Sequence, residues 1–148
     1  MEFTGYDKNF SLTNKIALVT GAAQGIGKAI VELYAEKGAD IILVDLKEDV
    51  KNVTASVTKF GRKGLPLVAD ITNTASVKKV VQDSVKEFGK IDILVNCAGI
   101  VMLDDAENLS EEYWDKTMAV NLKACFIMAQ YVGKEMIKAK SGKIINLA

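Results

Sequence analysis

A glycine-rich turn is the first feature of this sequence whose spacing could bind a phosphate-bearing cofactor. The stretch Thr20 to Gly27 reads Thr-Gly-Ala-Ala-Gln-Gly-Ile-Gly and directly follows an apolar run. In such a turn Gly21 permits a tight bend, Gly25 lets the backbone approach a phosphate, and Gly27 allows a helix to pack closely on a sheet. The free N–H groups of the turn and the positive end of the following helix would meet a pyrophosphate.

A single carboxylate, Asp45, complements this turn. It closes the apolar run Ile41 to Val44, about 20 residues further on, where dinucleotide sites place an acid. A carboxylate there can accept hydrogen bonds from both ribose hydroxyls of an adenosine, and it would repel a 2′-phosphate. The turn itself has no Arg or Lys, and Lys47 is the one cation near the acid. The pair predicts NAD rather than NADP; a surface aspartate at a strand end is the structural alternative.

Five apolar runs would position these residues. They are rich in Ile, Val and Leu without strict alternation, which is typical of strands covered on both faces. The runs are Ile16 to Val19, Ile41 to Val44, Leu65 to Ala69, Ile91 to Val95 and Ile144 to Leu147. The first four begin about 25 residues apart, the length of a repeated strand–helix unit. We predict one α/β domain over residues 1–148, a Rossmann-type doubly wound parallel sheet truncated after its fifth strand.

Three helical patterns lie between the first four runs. Each presents an apolar face, and these faces comprise Ile26, Ile30, Leu33 and Tyr34, then Val50, Val53, Val57 and Phe60, then Val77, Val80, Val81, Val85 and Phe88. Their 3.6-residue period predicts that these faces are buried against the sheet. Gly38, Gly61 and Gly89 follow the three patterns, where left-handed caps are expected.

One longer helical pattern fills the interval between the fourth and fifth runs. Ser110 is placed to cap its start, and Lys140 suits the negative end of the helix dipole. Its large apolar residues Trp114, Phe126 and Met128 are predicted to pack in the interior rather than to contact a cofactor.

The charge balance and the apolar runs restrict partners and compartment. Lys plus Arg equal Asp plus Glu at 19 each, and no basic tract occurs, which argues against a nucleic-acid or membrane partner. No apolar run approaches the roughly 20 residues that span a bilayer. The segment Met1 to Asn14 carries Glu2 and Asp7 without an apolar core, unlike a secretory signal. We therefore predict a cytoplasmic protein.

The absence of histidine restricts the chemistry further. Without it, neither a Ser-His-Asp triad nor the usual histidine-bearing zinc site can form within this chain. Cys97 and Cys125 are too far apart in sequence for a redox CxxC pair, so we expect small buried hydrophobes in a reducing compartment. No metal site is predicted.

Together these motifs resemble those of the short-chain dehydrogenase/reductase family, and the similarity extends from Asn14 to Ala148. The family's glycine motif is spaced TGxxxGxG, as Thr20 to Gly27 is. The fourth run ends in Asn-Cys-Ala-Gly at Asn96 to Gly99, which is similar to the family's NNAG motif with Cys97 in place of its second Asn. The resemblance implies that Asn96 ties neighbouring strands together, while the two small residues after Cys97 leave room for the nicotinamide ribose.

The resemblance also implies roles for two polar residues. An Asp at the end of the family's third strand contacts the adenine edge, and Asp70 occupies that place, although a turn aspartate fits equally well. Asn121 matches the Asn of the family's Asn-Ser-Tyr-Lys tetrad, which helps to hold a water in a proton relay; a solvent-facing polar residue is the alternative. Asn121 is thus the predicted catalytic residue. The predicted NAD contacts are Gly21, Gln24, Gly25, Ile26, Gly27, Asp45, Leu46, Asp70, Ile71, Asn96, Ala98, Gly99 and Val120.

As a whole, the resemblance implies an NAD-dependent oxidoreductase that transfers hydride between the nicotinamide and a secondary alcohol or ketone. The segment Tyr6 to Leu12 resembles sugar- and polyol-oxidising members, which predicts a sugar or polyol substrate. Two alternatives stay open: a reductase of 3-oxoacyl thioesters, many of which prefer NADP, and a non-catalytic NAD-binding module. A flavodoxin-like domain is disfavoured because no flavin site replaces the ribose contact of Asp45.

The chain ends before the residues that would complete the family's catalytic site. The catalytic Ser would directly follow Ala148, and no YxxxK motif occurs, so we predict part of a longer enzyme with no turnover of its own. An exposed sheet edge predicts an unstable or aggregating species. Family members are commonly tetramers, which implies a homo-oligomer in which the helix Ser110 to Lys140 packs on its symmetry mate. Tyr113, Met128 and Tyr131 would lie at that interface, unless they are buried in the monomer.

Overall fold

A five-stranded parallel sheet organises the computed structural model, which describes residues 10–148. The strands are β1 (Ile16–Thr20), β2 (Asp40–Asp45), β3 (Gly64–Val68), β4 (Ile93–Asn96) and β5 (Lys143–Asn146). Their order across the sheet is β3-β2-β1-β4-β5. The first three crossovers contain α1 (Gly25–Glu36), α2 (Val50–Thr58) and α3 (Thr74–Phe88). The predicted doubly wound sheet is confirmed, and every strand lies within two residues of the predicted one.

One long helix in three segments connects β4 to β5. It comprises α4 (Glu111–Met118), a π-helical segment (Ala119–Lys123) and α5 (Ala124–Ala139). Ser110 caps its start as predicted, because its Oγ accepts the backbone N–H of Tyr113 at 3.2 Å. The π-helical turn has no signature in the sequence, since its residues have ordinary helix propensities.

Two cores cover the faces of the sheet, because successive residues of a strand point to opposite sides. Leu18 belongs to a core shared with α3 and α5, where Val77 and Met128 are fully buried. Val19 belongs to the core on the other face, which α1 and α2 complete with Val31 and other small apolar residues. The predicted faces of α2 and α3 pack on the core, although Val85 and Phe88 are only partly buried. Phe60, which lies beyond the end of α2, is exposed.

Helix α1 buries only part of the face that its large apolar residues predict. Ile30 and Tyr34 are partly buried and pack against the core. Ile26 and Leu33 are expected to point inward, yet they are 65% and 48% exposed. Gly27, Val31 and Ala35 are buried instead. Gly27 lies against the turn that precedes the helix, so the small residues one and two turns later form the inner face.

Strand β5 is exposed at the edge of the sheet. It pairs with β4, and all four of its residues are exposed. Ile144 and Ile145 point to opposite faces and are 41% and 42% exposed. Cover on both faces, which the apolar pattern predicts, is therefore absent from β5 within residues 10–148, whereas the predicted open edge at the fifth strand is present.

Large residues of the long helix divide between interior and surface. Met128 is fully buried, as predicted, and it therefore cannot contribute to an interface with a symmetry mate. Interior packing is wrong for Trp114 and Phe126, which are 58% and 63% exposed. Phe126 precedes the inward-facing Ile127 and Met128, and a rotation of about 100° per residue turns it toward solvent.

The remaining predictions concern caps, spans and the first residues. Gly89 caps α3 with φ 78°, and Gly38 and Gly61 also have positive φ, which confirms all three predicted left-handed positions. Within residues 10–148, no helix combines the length and apolar character that a membrane crossing requires. The predictions for Met1 to Asn9, including most of the polyol-like segment from Tyr6, lie outside the described residues.

Candidate cofactor-binding site

A cavity of about 970 Å³ opens at the edge of the sheet where the strands end. Parallel strands bring their carboxyl ends to one edge, which is where ligands bind in open α/β sheets. The volume suits a cofactor, because ligand cavities span roughly 300–1,000 Å³. The predicted residues that line this cavity are Gly21, Gln24, Gly25, Ile26, Gly27, Asp45, Leu46, Asp70, Ile71, Ala98, Gly99, Val120 and Asn121. Asn96 does not line it.

The glycine turn forms one wall of the cavity, and each of its three glycines is required for a different steric reason. Gly21 has φ 68°, and a Cβ there would lie 2.8 Å from the Cα of Ala98 at the end of β4. A Cβ on Gly27 would overlap the carbonyl oxygen of Gly21, so α1 packs on the turn itself. A Cβ on Gly25 would meet no atom within 4 Å, and this residue has φ 55°. Gly25 therefore faces open space, as a phosphate approach requires.

Asp45 lies on the rim with its carboxylate fixed by two backbone donors. Its Oδ2 accepts the N–H of Ala23 and its Oδ1 accepts the N–H of Lys47, both at 2.9 Å. Each oxygen keeps a further lone pair, which suits a pair of ribose hydroxyls. The Nζ of Lys47 donates to Oε1 of Gln24 at 3.0 Å, so the nearby cation lies at the mouth of the same cavity.

Asp70 is a turn aspartate that also lines the cavity. Its Oδ1 accepts the N–H of Thr72 at 2.9 Å and the hydroxyl of Thr72 at 2.7 Å, which makes it a turn aspartate. It also lines the cavity beside Ile71, two residues past the end of β3. Turn geometry thus holds the carboxylate at the place where the resemblance implies an adenine contact.

Asn96 lies behind the wall and ties strands together, as predicted. It is 1% exposed, and its Nδ2 donates to Oδ1 of Asn146 on β5 at 2.8 Å. The same nitrogen donates to the carbonyl of Cys125 at 3.4 Å, while Oδ1 of Asn96 is buried without a partner in the described part of the chain. Its contribution to the cavity is therefore structural.

Thr20 is a positioning residue that the sequence does not reveal. It is buried at the end of β1, and its Oγ1 accepts the N–H groups of Cys97 and Ala98, both at 3.1 Å. These bonds fix the backbone at the end of β4 against the glycine turn. A Thr before the first glycine is the available signal, but its partners lie 77 and 78 residues away in sequence.

The π-helical segment brings Asn121 to the opposite wall. Its Oδ1 accepts the N–H of Ile100 at 2.9 Å, and its Nδ2 donates to the C=O of Ile100 at 2.8 Å. The amide therefore clamps the loop directly after Gly99. Ile100 also lines the cavity, and sequence reasoning misses it because a single Ile in a loop carries no motif.

Both cysteines line the cavity and are half-buried rather than fully buried. Burial raises the pKa of the Cys97 thiol above its usual range. Burial likewise raises the pKa of Cys125, opposed in part by a hydrogen bond with the backbone of Cys125 itself. The Sγ of Cys125 also donates to the carbonyl of Asn121 at 3.4 Å. A thiol held protonated is a poor nucleophile. Among residues 10–148, no group of three or more Cys, Asp or Glu side chains is arranged to hold a metal ion.

Comparison with known proteins identifies the family. The family model described as short chain dehydrogenase matches residues 15–148. The chain belongs to this family. It is 53% identical over 148 residues to the NAD-dependent glycerol dehydrogenase of Listeria innocua serovar 6a, and the match covers 100% of this chain and 58% of that protein. The D-threitol dehydrogenase of Mycolicibacterium smegmatis is 46% identical, with 96% of this chain and 55% of that protein covered.

A solved member of the family has the same fold. The crystal structure of NAD⁺-bound xylitol dehydrogenase superposes with a TM-score of 0.88 at 31% identity. That match covers 91% of this chain and 53% of the xylitol dehydrogenase chain. This short-chain dehydrogenase sequence thus spans little more than half the length of the relatives that it matches.

Proposed function

We propose that this chain binds NAD in the cavity and serves an oxidoreductase that acts on a small sugar or polyol. The observation that carries the proposal is the fixed carboxylate of Asp45, whose two oxygens each accept one backbone N–H at 2.9 Å beside the glycine turn. An acid held in that orientation can accept two ribose hydroxyls and disfavours a 2′-phosphate.

The cavity walls suit the successive parts of NAD. Asp45 and Asp70 lie at the end where the adenosine would bind, and the open space beside Gly25 would take the pyrophosphate. Gly99 and Asn121 line the end that would take the nicotinamide. When bound there, NAD would supply the carbon that accepts or donates hydride.

A role in positioning is proposed for Asn121. Its side-chain amide makes one hydrogen bond through Oδ1 and one through Nδ2, both to Ile100, so it fixes the loop beside the nicotinamide end. The second N–H of Nδ2 and the second lone pair of Oδ1 would stay available for the water-holding role that the resemblance implies. The Ser and the YxxxK motif expected beyond Ala148 remain a prediction. Sequencing the gene after the codon for Ala148 would test it. The absence of turnover by these 148 residues alone also remains a prediction.

The substrate class is proposed from the relatives. Two of them are named for glycerol and D-threitol, and the structural neighbour is named for xylitol, all small polyols. These names favour a polyol over a 3-oxoacyl thioester. A non-catalytic NAD-binding module is the remaining alternative, and it would share the cofactor site.

Binding of NAD to the 148-residue chain tests the first half of the proposal. In saturation-transfer NMR, protons of both the adenosine ribose and the nicotinamide should receive saturation from the protein. Asp45→Ala should abolish the ribose signal, whereas Asp83→Ala, on the outer side of α3, should leave both signals intact. Saturation of neither end would contradict the proposal. The substrate class is tested on the protein encoded by the complete reading frame. Formation of NADH, followed by its absorbance, should occur with glycerol, D-threitol or xylitol as the substrate.

The assembly and the compartment remain proposals. The long helix exposes Leu122, Phe126 and Ile137, at 60%, 63% and 77%, and this surface supports a homotetramer built on that helix. Analytical ultracentrifugation of the complete reading frame would test it. A cytoplasmic location is proposed from the composition, and fractionation of the source cells would test that.

A further inference from the structure

Several lysines of this chain lie at one edge of the sheet, although positive and negative charges cancel in total. Because all five strands are parallel, their starts share one edge, here called the amino edge, which lies opposite the cavity. Lys63 directly precedes β3, Lys15 directly precedes β1, and Lys143 is the first residue of β5. These are alternate strands of the sheet, so at about 4.8 Å per strand the three lysines recur about every 10 Å.

The two aspartates at the strand starts of the amino edge are turned inward, whereas Glu36 and Glu87, near the ends of α1 and α3, are exposed. Asp40, at the start of β2, accepts the N–H of Lys63 at 2.8 Å and pairs with Arg62 at 2.8 Å. Asp92, directly before β4, accepts the first backbone N–H of β1 at 2.8 Å and pairs with Lys90 at 2.9 Å. Both acids therefore tie strand starts together, and each is balanced by its own cation.

The three lysines of the edge, in contrast, are exposed and form no ion pair with another side chain of residues 10–148. The turn between α2 and β3 adds the exposed Lys59 and also Phe60, which is 40% exposed. The attraction of cations to the carboxyl ends of helices explains the position of Lys59, which follows α2. It does not explain the positions of Lys15, Lys63 and Lys143, which lie at strand starts.

We propose that the amino edge is a docking surface for an anionic lipid bilayer. By the strand register, Lys15 and Lys143 leave one face of the sheet and Lys63 leaves the other. Without ion pairs among residues 10–148, these cations complement the negative potential of a leaflet that contains acidic lipids. Phe60 supplies an apolar group that can enter the interfacial region beside these cations. The edge is formed by the loops that connect each helix to the following strand. The cavity lies at the other ends of the strands, so docking would leave it open to solvent.

Sedimentation with vesicles tests the proposal on the 148-residue chain. The chain should sediment with vesicles of equimolar phosphatidylcholine and phosphatidylglycerol but not with pure phosphatidylcholine, and added salt should release it. The triple variant Lys15→Gln, Lys63→Gln and Lys143→Gln should lower the partition constant roughly 100-fold, about fivefold per lysine. Phe60→Ser should weaken the remaining, salt-resistant part of the binding.

A matched control separates the edge from the total charge. The triple variant Lys28→Gln, Lys79→Gln and Lys116→Gln makes the same change in net charge on helix surfaces, where each lysine pairs with an acid. It should keep most of the binding. Circular dichroism checks the fold of both variants, and the three single edge variants replace the triple one if it unfolds.

Three results would overturn the proposal. The first is no sedimentation with anionic vesicles, and the second is an equal loss of binding in the two triple variants. The third is binding of polyuridylate that depends on the edge lysines without binding to vesicles, which would make the surface a nucleic-acid site. None of these results depends on NAD binding.

Discussion

The side-chain amide of Asn121 bonds both backbone groups of Ile100, accepting its N–H at 2.9 Å and donating to its C=O at 2.8 Å. The side chain of Asn121 thus pairs with the N–H and the C=O of one loop residue, as the backbone of a neighbouring β-strand would. The π-helical turn Ala119–Lys123 places Asn121 at this position, and such turns often mark functional sites. The loop that it fixes begins where the β4 motif ends.

Loss of this clamp should loosen the cavity wall. Asn121→Leu removes both bonds, and because the groups of Ile100 can regain water, the free energy of unfolding should fall by only about 1–2 kcal/mol. Hydrogen exchange at the Ile100 amide should accelerate, and NAD affinity should fall. Urea unfolding and exchange mass spectrometry measure these effects. Asn52→Leu, at an exposed site on α2, is the control, and equal effects in both variants would count against the clamp.

Thr20 offers a sharper test, because its partners are less accessible. Thr20→Val keeps the shape but leaves the N–H groups of Cys97 and Ala98 without their acceptor, which should cost about 2 kcal/mol. Thr20→Ser keeps the oxygen and should stay within about 1 kcal/mol of the wild type. Urea denaturation compares the two. A valine variant as stable as the serine variant would show that these bonds do not hold the end of β4.

Two glycines should respond oppositely to alanine. Gly27→Ala drives a methyl group into the carbonyl of Gly21, so we expect a loss of about 3 kcal/mol or an unfolded chain. Gly133→Ala, within α5, meets no atom within 4 Å and should raise stability by about 0.5–1 kcal/mol. Thermal unfolding of both variants measures the difference. Similar midpoints would mean that α1 can move away from the turn.

The close contact between Gly27 and Gly21 also explains where the hydrophobic pattern fails to predict this fold. Apolar runs and turn glycines predict the strands and their order in the chain, because buried strands require apolar residues and a positive φ favours glycine. The predicted inner face of α1 is wrong at Ile26 and Leu33, because the contact of Gly27 with Gly21 turns the small residues of α1 inward and leaves Ile26 at the cavity. Hydrophobicity alone favours the large residues.

Motif positions predict most of the cavity wall, while its internal bonds depend on distant parts of the chain. Asp45 and Gly25 stand out because their spacing from β1 is fixed by one strand–helix unit. The bonds from Thr20 to Ala98 and from Asn121 to Ile100 join segments 78 and 21 residues apart. They require the register of β1 with β4 and the π-helical turn, neither of which a local pattern specifies.

The two thiols of the cavity should resist alkylation. Burial raises the pKa of Cys97 and Cys125, so less thiolate forms at a given pH than in a free cysteine, whose pKa is about 8.5. The iodoacetamide rate should therefore rise with pH at a higher midpoint in the folded chain than in urea. The raised folded pKa also means that stability falls as pH climbs past the unfolded value. If the pH midpoint of the iodoacetamide rate in the folded chain were at or below that in the denatured chain, the claim that burial raises these pKa values would be contradicted.

Calorimetric titration of the protein encoded by the complete reading frame, with NAD and with NADP, tests the central claim most directly. The account predicts that NAD binds more tightly, and that Asp45→Asn shifts the ratio of the two affinities toward NADP by about tenfold or more, because a repulsive charge disappears. Asp49→Asn, four residues along the chain, should leave the ratio unchanged. Absence of NAD binding, or an unchanged ratio in Asp45→Asn, would contradict the account.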